Sequence, residues 1–284
     1  MIKPTLPFVE TMASYACNLS CTGCTNYSDL HLKGNISWET CKFWLEQWLE
    51  KVNIEGFGII GGEPLANPEI NQWIIGLRSL MPNAQLRFTT NGLLLHKKFE
   101  IVDLLHNVGN SVLKISVHLE NHYAIENVIE RIFSRYKFEE IEEFGIRRYR
   151  TSNNFKFQIN RPSTFLKTYR NNYTEMLPHK SNPDDSFEIC VQKTCPLLYK
   201  GNIYKCSTSG MLFDILKKFK REKIDDWQPY IKYNGISPLD SDITISNFIS
   251  NFGKAENICA MCPTKDDHSS HLDHYKTVRR KNDK

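Results

Sequence analysis

The chain has 284 residues, of which 40% are hydrophobic and 12% aromatic, and its formal net charge at pH 7 is only +4. This composition supports a folded core and excludes a disordered chain, and the small, dispersed charge excludes the usual basic surface of a nucleic-acid-binding protein. No apolar run approaches the roughly 20 residues of a membrane span, and the N-terminus lacks a signal-peptide pattern. We therefore expect a cytoplasmic protein with no membrane partner.

The predicted elements alternate between strand and helix up to Asn160. Ser37, followed by Glu39, is typical of a helix N-cap, and Gly109 marks a helix end. This alternation indicates βαβ units and a parallel sheet. Strands are predicted at residues 8–15, 56–62, 85–92, 111–120 and 155–162, and helices at residues 36–52, 67–81, 97–109 and 120–137.

Three of these strands carry polar residues on one face, although the strands of a parallel sheet are usually apolar on both. A closed barrel with a packed interior would not place polar groups inside. The pattern favours a wide or incomplete barrel around a polar ligand, and a sheet with one solvent-exposed face is the alternative. The polar positions are Arg87, Thr89, Asn91, Lys114, Ser116, His118, Lys156, Gln158 and Asn160, and their basic members, with Arg161, could bind a phosphate or carboxylate.

The nine cysteines form two groups and one isolated residue, Cys41. Cys41 falls in a predicted amphipathic helix and is expected to be a buried apolar residue. Clustered thiols in a reducing compartment indicate metal binding before disulfides. The first group, Cys17, Cys21 and Cys24, has C-x3-C-x2-C spacing, and the second contains Cys190, Cys195, Cys206, Cys259 and Cys262.

Three motifs in chain order resemble those of the radical S-adenosylmethionine (radical SAM) superfamily: CNLSCTGC at 17–24, GGEP at 61–64 and TTNG at 89–92. The resemblance covers about residues 8–160 and implies an α/β fold, a partial (β/α)6 TIM-like barrel. It implies that Cys17, Cys21 and Cys24 hold a [4Fe–4S] cluster whose fourth iron binds S-adenosylmethionine. Zinc, with His31 as a conceivable fourth ligand, is the alternative for these thiols.

The same resemblance implies the chemistry of the cofactor. An electron, supplied by a reductant such as flavodoxin or ferredoxin, breaks a carbon–sulfur bond of S-adenosylmethionine. The 5′-deoxyadenosyl radical then takes a hydrogen atom from the substrate. No catalytic side chain is assigned by this resemblance.

The motif positions also imply the cofactor-binding residues. Glu63 matches the acidic position that helps to hold the amino group of the cofactor. Gly23 stands where many members of the family have an aromatic residue, and Tyr27 is the candidate to replace that residue near the adenine. The full set is Gly61, Gly62, Glu63, Pro64, Thr90, Asn91, Ser116, His118 and Tyr27.

The second cysteine group is similar to the auxiliary-cluster extensions called SPASM and twitch domains. Cys190, Gly201 and Cys206 match the opening of that motif, and residues 201–206 are expected to form a strand of a small hairpin. A predicted helix at residues 241–253 brings back the CxxC of Cys259 and Cys262. We expect one auxiliary [4Fe–4S] site, and the spacing leaves open whether Cys190 or Cys195 is one of its ligands. A zinc site and plain core cysteines are the alternatives.

The expected organisation has three parts. Residues 1–185 form the radical SAM partial barrel, residues 186–263 form the C-terminal hairpin-plus-helix iron–sulfur extension, and residues 264–284 form a polar tail that we expect to be flexible. The substrate is expected to be a small polar molecule, such as a sugar, sugar nucleotide or amino-acid derivative, in surface-polysaccharide biosynthesis. A maturase of a ribosomally made peptide and a non-catalytic metal-binding protein on the same fold are the alternatives.

Overall fold

The computed structural model describes residues 3–119 and 122–280 as a series of alternating strands and helices. The helices are α1 (Trp38–Lys51), α2 (Ile70–Leu80), α3 (Glu100–Val108), α4 (Tyr123–Arg135), α5 (Pro183–Glu188), α6 (Ser207–Lys218), α7 (Gln228–Ile231), α8 (Asp242–Ser250) and α9 (His274–Thr277). The strands are β1 (Thr5–Leu6), β2 (Val9–Ser14), β3 (Leu19–Cys21), β4 (Asn53–Ile54), β5 (Gly56–Gly61), β6 (Gln85–Thr90), β7 (Ser111–Ser116), β8 (Glu139–Glu143), β9 (Ile146–Arg150), β10 (Phe155–Asn160), β11 (Thr164–Leu166), β12 (Leu197–Tyr199), β13 (Asn202–Tyr204), β14 (His271–Asp273) and β15 (Val278–Arg280).

A nine-stranded sheet organises the molecule, in the order β13-β12-β2-β5-β6-β7-β10-β9-β8. The six strands from β12 to β10 are all parallel, and an antiparallel hairpin closes each edge. The predicted α/β class and partial barrel of six parallel strands are confirmed. β12 belongs to the same sheet as β2, β5, β6, β7 and β10, although it lies in the predicted iron–sulfur extension.

Local sequence signals define the helix ends. The Ser37 hydroxyl accepts a hydrogen bond from the Thr40 amide at 3.2 Å, as predicted for the N-cap of α1. Ser241 caps α8 in the same way, accepting from the Thr244 amide at 3.2 Å. Gly109 ends α3 with a φ of 63°, a left-handed conformation that glycine adopts without a steric penalty.

The main core lies between the apolar face of the sheet and helices α1 to α4. Its burial supplies most of the favourable free energy of folding, at roughly 25 cal/mol per Å² of apolar surface. Cys41 is fully buried within this core, as predicted. The sheet contributes residues that the sequence placed on its apolar face, namely Leu86, Phe88, Ile115, Val117, Phe155 and Phe157.

The β8–β9 hairpin extends the sheet beyond β10 and supplies partners for polar side chains of β10. The Lys156 ammonium donates to Glu143 Oε1 at 2.7 Å, and Arg148 Nε donates to Gln158 Oε1 at 3.1 Å. Lys156 and Gln158 are therefore satisfied within the protein. The remaining positions of the predicted polar face border a cavity, so the open, solvent-exposed sheet is not the arrangement found.

The C-terminal segment pairs with two distant parts of the chain. β15 pairs antiparallel with β3, which places Val278 opposite Cys21, and β14 pairs antiparallel with β11. Residues 271–280 thus differ from the expected flexible tail, because backbone pairing orders a segment whose polar composition gave no such signal. Residues 281–284 lie outside the described part of the chain. None of the helices that the structure describes combines the length and apolar character needed to cross a membrane.

Candidate functional site

Three cysteines on the loop after β2 face a single cavity. Cys17, Cys21 and Cys24 all line it, and a turn in which the Cys24 amide donates to the Cys21 carbonyl at 3.0 Å holds the last two together. Cys17 Sγ accepts a weak hydrogen bond from the Leu19 amide at 3.4 Å. We call these three residues the thiol end of the cavity.

The cavity has a volume of about 310 Å³ and lies against the polar face of the sheet. Six predicted cofactor-binding residues border it together with the thiol end. They come from the ends of three neighbouring parallel strands, where polar side chains of different strands meet. These residues are Gly61, Gly62, Thr90, Asn91, Ser116 and His118.

A side chain at Gly61 or Gly62 would clash with the backbone of the segment that leads into the cysteine loop. A Cβ on Gly61 would lie 2.4 Å from the Ser14 carbonyl oxygen, and a Cβ on Gly62 would lie 2.4 Å from the Ala16 carbonyl oxygen. The Gly62 amide also donates to the Ser14 carbonyl at 2.7 Å. The two glycines thus allow the cysteine loop to approach β5, and a further contact with the methionine part of the cofactor stays a prediction.

Glu63 is fully buried next to the cavity, and other groups of the protein donate to both of its oxygens. Oε1 accepts from the Thr90 hydroxyl at 2.6 Å and the Leu65 amide at 3.1 Å, and Oε2 accepts from the Asn91 amide at 2.8 Å. Burial raises the pKa of Glu63 to about 7. In this structure the carboxyl group orients Thr90 and Asn91, and its contact with the cofactor's amino group stays a prediction.

The other predicted residues differ in their relation to the cavity. The His118 ring lies 5.7 Å from the Phe165 ring, edge to face, at the cavity wall. Pro64 begins a short 3-10 helix and is buried. Tyr27 is fully buried away from the cavity lining, and its hydroxyl donates to the Thr208 carbonyl at 3.2 Å. The structure does not bring Tyr27 together with the other predicted residues, because its side chain packs towards α6 and forms its hydrogen bond there.

A charged group lines the cavity at positions of the strands away from the cysteine loop. It consists of Glu10, Arg87 and Lys114, which we call the charged end, and the Cys195 thiol lies beside them. Burial raises the pKa of Glu10 to about 7, although Arg87 and Lys114 act in the opposite direction. Glu10 was not among the predicted site residues, although it is the one charged residue of β2.

Four cysteines of the second group line a separate cavity of about 50 Å³. Cys190, Cys206, Cys259 and Cys262 border it, and burial together with the other three thiols raises the pKa of Cys262. Cys195 does not border it, because the chain turns after Gln192 and carries Cys195 to the first cavity, next to β2. The structure therefore groups Cys190, not Cys195, with the later cysteines.

The two cysteine sites are close neighbours. Thr25, Leu166, Val191 and Gln192 line both cavities and form the wall between them. Among the residues that the structure describes, no group of three or more His, Cys, Asp or Glu side chains forms a ready single-ion metal site.

Comparisons with known proteins add a family and a fold. Residues 12–151 match the family model of the radical SAM superfamily. The solved structure of BtrN in complex with AdoMet and 2-DOIA is similar to this chain, with a TM-score of 0.52 and 14% identity over 93% of this chain and 95% of BtrN. This similarity is one of fold over nearly the whole chain. A search of curated proteins finds no match.

Two further structures match shorter parts of the chain. Streptococcus suis SuiB bound to its precursor peptide SuiA has a TM-score of 0.34 and 20% identity, over 42% of this chain and 26% of SuiB. The structure of anSMEcpe with bound AdoMet and the Cp18Cys peptide has a TM-score of 0.34 and 22% identity, over 45% of this chain and 40% of anSMEcpe.

Proposed function

Because the chain is a radical SAM enzyme, with the radical SAM domain at residues 12–151, we propose that it abstracts a hydrogen atom from a small polar substrate. Sugars, sugar nucleotides and amino-acid derivatives are the substrate classes we consider, in surface-polysaccharide biosynthesis in the cytoplasm. The observation that carries the proposal is one cavity with the thiol end and the charged end on its walls. A substrate between them would be in reach of the bond-breaking chemistry.

The donor set of the thiol end fits an iron–sulfur cluster. Thiolates are the usual ligands of such clusters, and Cys17, Cys21 and Cys24 open together onto one cavity, whereas Cys195 borders that cavity at the charged end. Radical SAM enzymes use a [4Fe–4S] cluster and S-adenosylmethionine, and when bound these supply an electron and the radical that removes hydrogen. The strand ends at Asn91, Ser116 and His118 border the same cavity and would orient the cofactor.

The second cysteine site is proposed to hold an auxiliary [4Fe–4S] cluster. Its four thiols, Cys190, Cys206, Cys259 and Cys262, surround one cavity and provide a complete ligand set. Because the two sites share a wall, electrons could pass between the two clusters. Zinc bound at the second site is the alternative, and metal analysis distinguishes it from iron.

The cavity dimensions favour a small substrate over a peptide. A volume of about 310 Å³ is at the lower end of the range for small-molecule sites, and the cofactor must occupy part of it. BtrN, which shares the fold, was crystallised with AdoMet and 2-DOIA. A peptide substrate is the alternative, and a precursor-peptide gene beside this one would favour it.

Reductive cleavage of S-adenosylmethionine tests the proposed chemistry. We expect the anaerobically reconstituted protein to contain about eight irons per chain, as two cubanes require, and to produce methionine and 5′-deoxyadenosine with dithionite. Replacing Cys17, Cys21 and Cys24 together by alanine should abolish cleavage and remove about half the iron. Cys41→Ala is the matched control, since that thiol is buried in the core.

Two results would contradict the proposal. A wild-type protein that binds iron but cleaves no cofactor would support the non-catalytic alternative. A triple variant that lost all its iron, or none, would show that the two cysteine groups do not hold separate clusters.

A further inference from the structure

The charged end is built by the register of the parallel strands. Glu10 pairs with Gly58, and Gly58 pairs with Arg87, so Glu10 and Arg87 lie in one row across β2, β5 and β6. Lys114 pairs with Thr89, two residues further along the strands. Because the cysteine loop follows the carboxyl end of β2, this row lies towards the amino ends of the strands.

Gly58 provides the space that this row needs. A Cβ at Gly58 would lie 2.7 Å from Glu10 Cβ and 2.8 Å from Phe8 Cζ. The Phe8 ring in turn supports Arg87, whose guanidinium carbon lies 4.2 Å from the ring centroid. The geometry therefore holds Arg87 by stacking, which leaves the hydrogen-bonding edge of the guanidinium available.

The charges of this row are not neutralised by contact with one another. Within the described ranges, no Glu10 oxygen lies within 4.0 Å of an Arg87 or Lys114 nitrogen, and neither cation forms a hydrogen bond to another side chain or carbonyl. Other basic residues of the region are paired: Lys156 with Glu143 at 2.7 Å and Arg161 with Glu126 at 2.9 Å.

Half-buried cations that lack a hydrogen-bonding partner are costly, so an arrangement of this kind is expected to receive one from a ligand. Two cations against one carboxyl group leave a net positive charge at the cavity wall. We propose that the charged end binds an anionic group of the substrate, a carboxylate or a phosphate, through Arg87 and Lys114, while Glu10 accepts from a neighbouring hydroxyl or amino group.

This assignment rests on the proposed function, since the ligand of the charged end would be the substrate of that reaction. Equilibrium binding tests it without any turnover. Inorganic phosphate and acetate are titrated separately into the anaerobically reconstituted protein with S-adenosylmethionine present, and binding is followed by calorimetry. Tighter binding of phosphate indicates a phosphorylated substrate, and tighter binding of acetate indicates a carboxylate.

We expect Arg87→Gln and Lys114→Gln each to weaken binding of the preferred anion about tenfold or more, because each removes a charge-assisted hydrogen bond. Arg147→Gln removes the same charge from an exposed arginine that is paired with Glu140, and this variant should bind the anion as wild type does. If neither anion binds, or if both cavity variants bind as wild type does, the anion site is wrong.

Iron content and melting temperature are measured for every variant, so that loss of folding is separated from loss of binding. Arg87→Lys keeps the positive charge and loses the planar guanidinium donors, so its affinity for the anion should lie between those of wild type and Arg87→Gln. Wild-type cleavage of S-adenosylmethionine is measured in the same preparation. Cleavage without anion binding overturns only the anion site, whereas absence of cleavage overturns the proposed function.

Discussion

Cys190 and Cys195 are close in the chain and border different cavities. Cys190 lies with Cys206, Cys259 and Cys262, whereas Cys195 lies with Glu10 and the cations of the charged end. We expect Cys190→Ala to lose the iron of the second site, about half of the total, and Cys195→Ala to retain it. Iron and sulfide determination with a visible spectrum measures both.

Each of the two cysteine variants serves as the control of the other, because they remove the same thiol from neighbouring positions. Equal iron loss in both variants, or loss only in Cys195→Ala, would contradict the ligand set of the second site. If the metal at the second site proved to be zinc, neither variant would change the iron content.

Glu63 links the stability of the fold to pH. Its pKa is raised from 4.5 to about 7 by burial, despite the hydrogen bonds that it accepts. Because the folded pKa exceeds the unfolded value, the stabilisation from this group is complete below pH 4.5 and is lost as the pH rises through about 7. We expect the melting temperature to fall between about pH 4.5 and about pH 7, and to fall less in Glu63→Gln.

Glu63→Gln should also be less stable than wild type by about 1–3 kcal/mol, since an amide nitrogen cannot accept from the backbone donors at this site. Glu55 is exposed and provides the control, so Glu55→Gln should keep the wild-type pH dependence. Glu10 contributes in the same direction and should preserve part of the dependence in Glu63→Gln. A pH profile of Glu63→Gln identical to wild type would refute the role given to Glu63.

At the level of elements, the sequence predicts most of the structure where the signals are local. The N-cap at Ser37, the glycine after α3 and the alternation of apolar and polar residues in β6 and β10 each depend on neighbouring residues. The same holds for the predicted site residues, because the thiol end and the strand end at Asn91 come from short motifs, and Ser116 comes from the polar face of a predicted strand. Each motif follows a strand, and the parallel sheet brings the strand ends together.

Long-range pairing could not be predicted in this way. β12 pairs with β2 across more than half of the chain, and this pairing carries Cys195 to the first cavity and opposes Leu197 to Glu10. The basic run at residues 146–150 forms β9, in which Arg148 is buried against Glu143 and Gln158. Such contacts depend on which strands meet, which local composition does not encode.

At the scale of the whole molecule, the C-terminal segment returns to the cysteine loop near the start of the chain. Val278 packs with Leu19 and Cys21 in a small buried cluster, and Leu272 Cδ1 lies 3.2 Å from the position that a Cβ on Gly23 would take. β15 also gives β3 a backbone partner that this short strand lacks within its own loop. The thiol end is therefore held from outside by a segment distant in sequence.

Removing residues 264–284 tests this support. Without β14 and β15, the loop that presents Cys17, Cys21 and Cys24 loses its backbone pairing and apolar cover, so we expect its iron to be bound weakly and to be lost quickly in air. The second site keeps its four thiols, and the iron content should fall from about eight towards about four per chain. Removing residues 281–284 alone leaves both strands and should retain the wild-type iron content and cofactor cleavage.

If the longer truncation keeps full iron and full cleavage, the return of the chain to the cysteine loop has no role in holding the cluster. If it loses the iron of both sites together, the segment supports the fold as a whole, and the specific link between β15 and the thiol end is wrong.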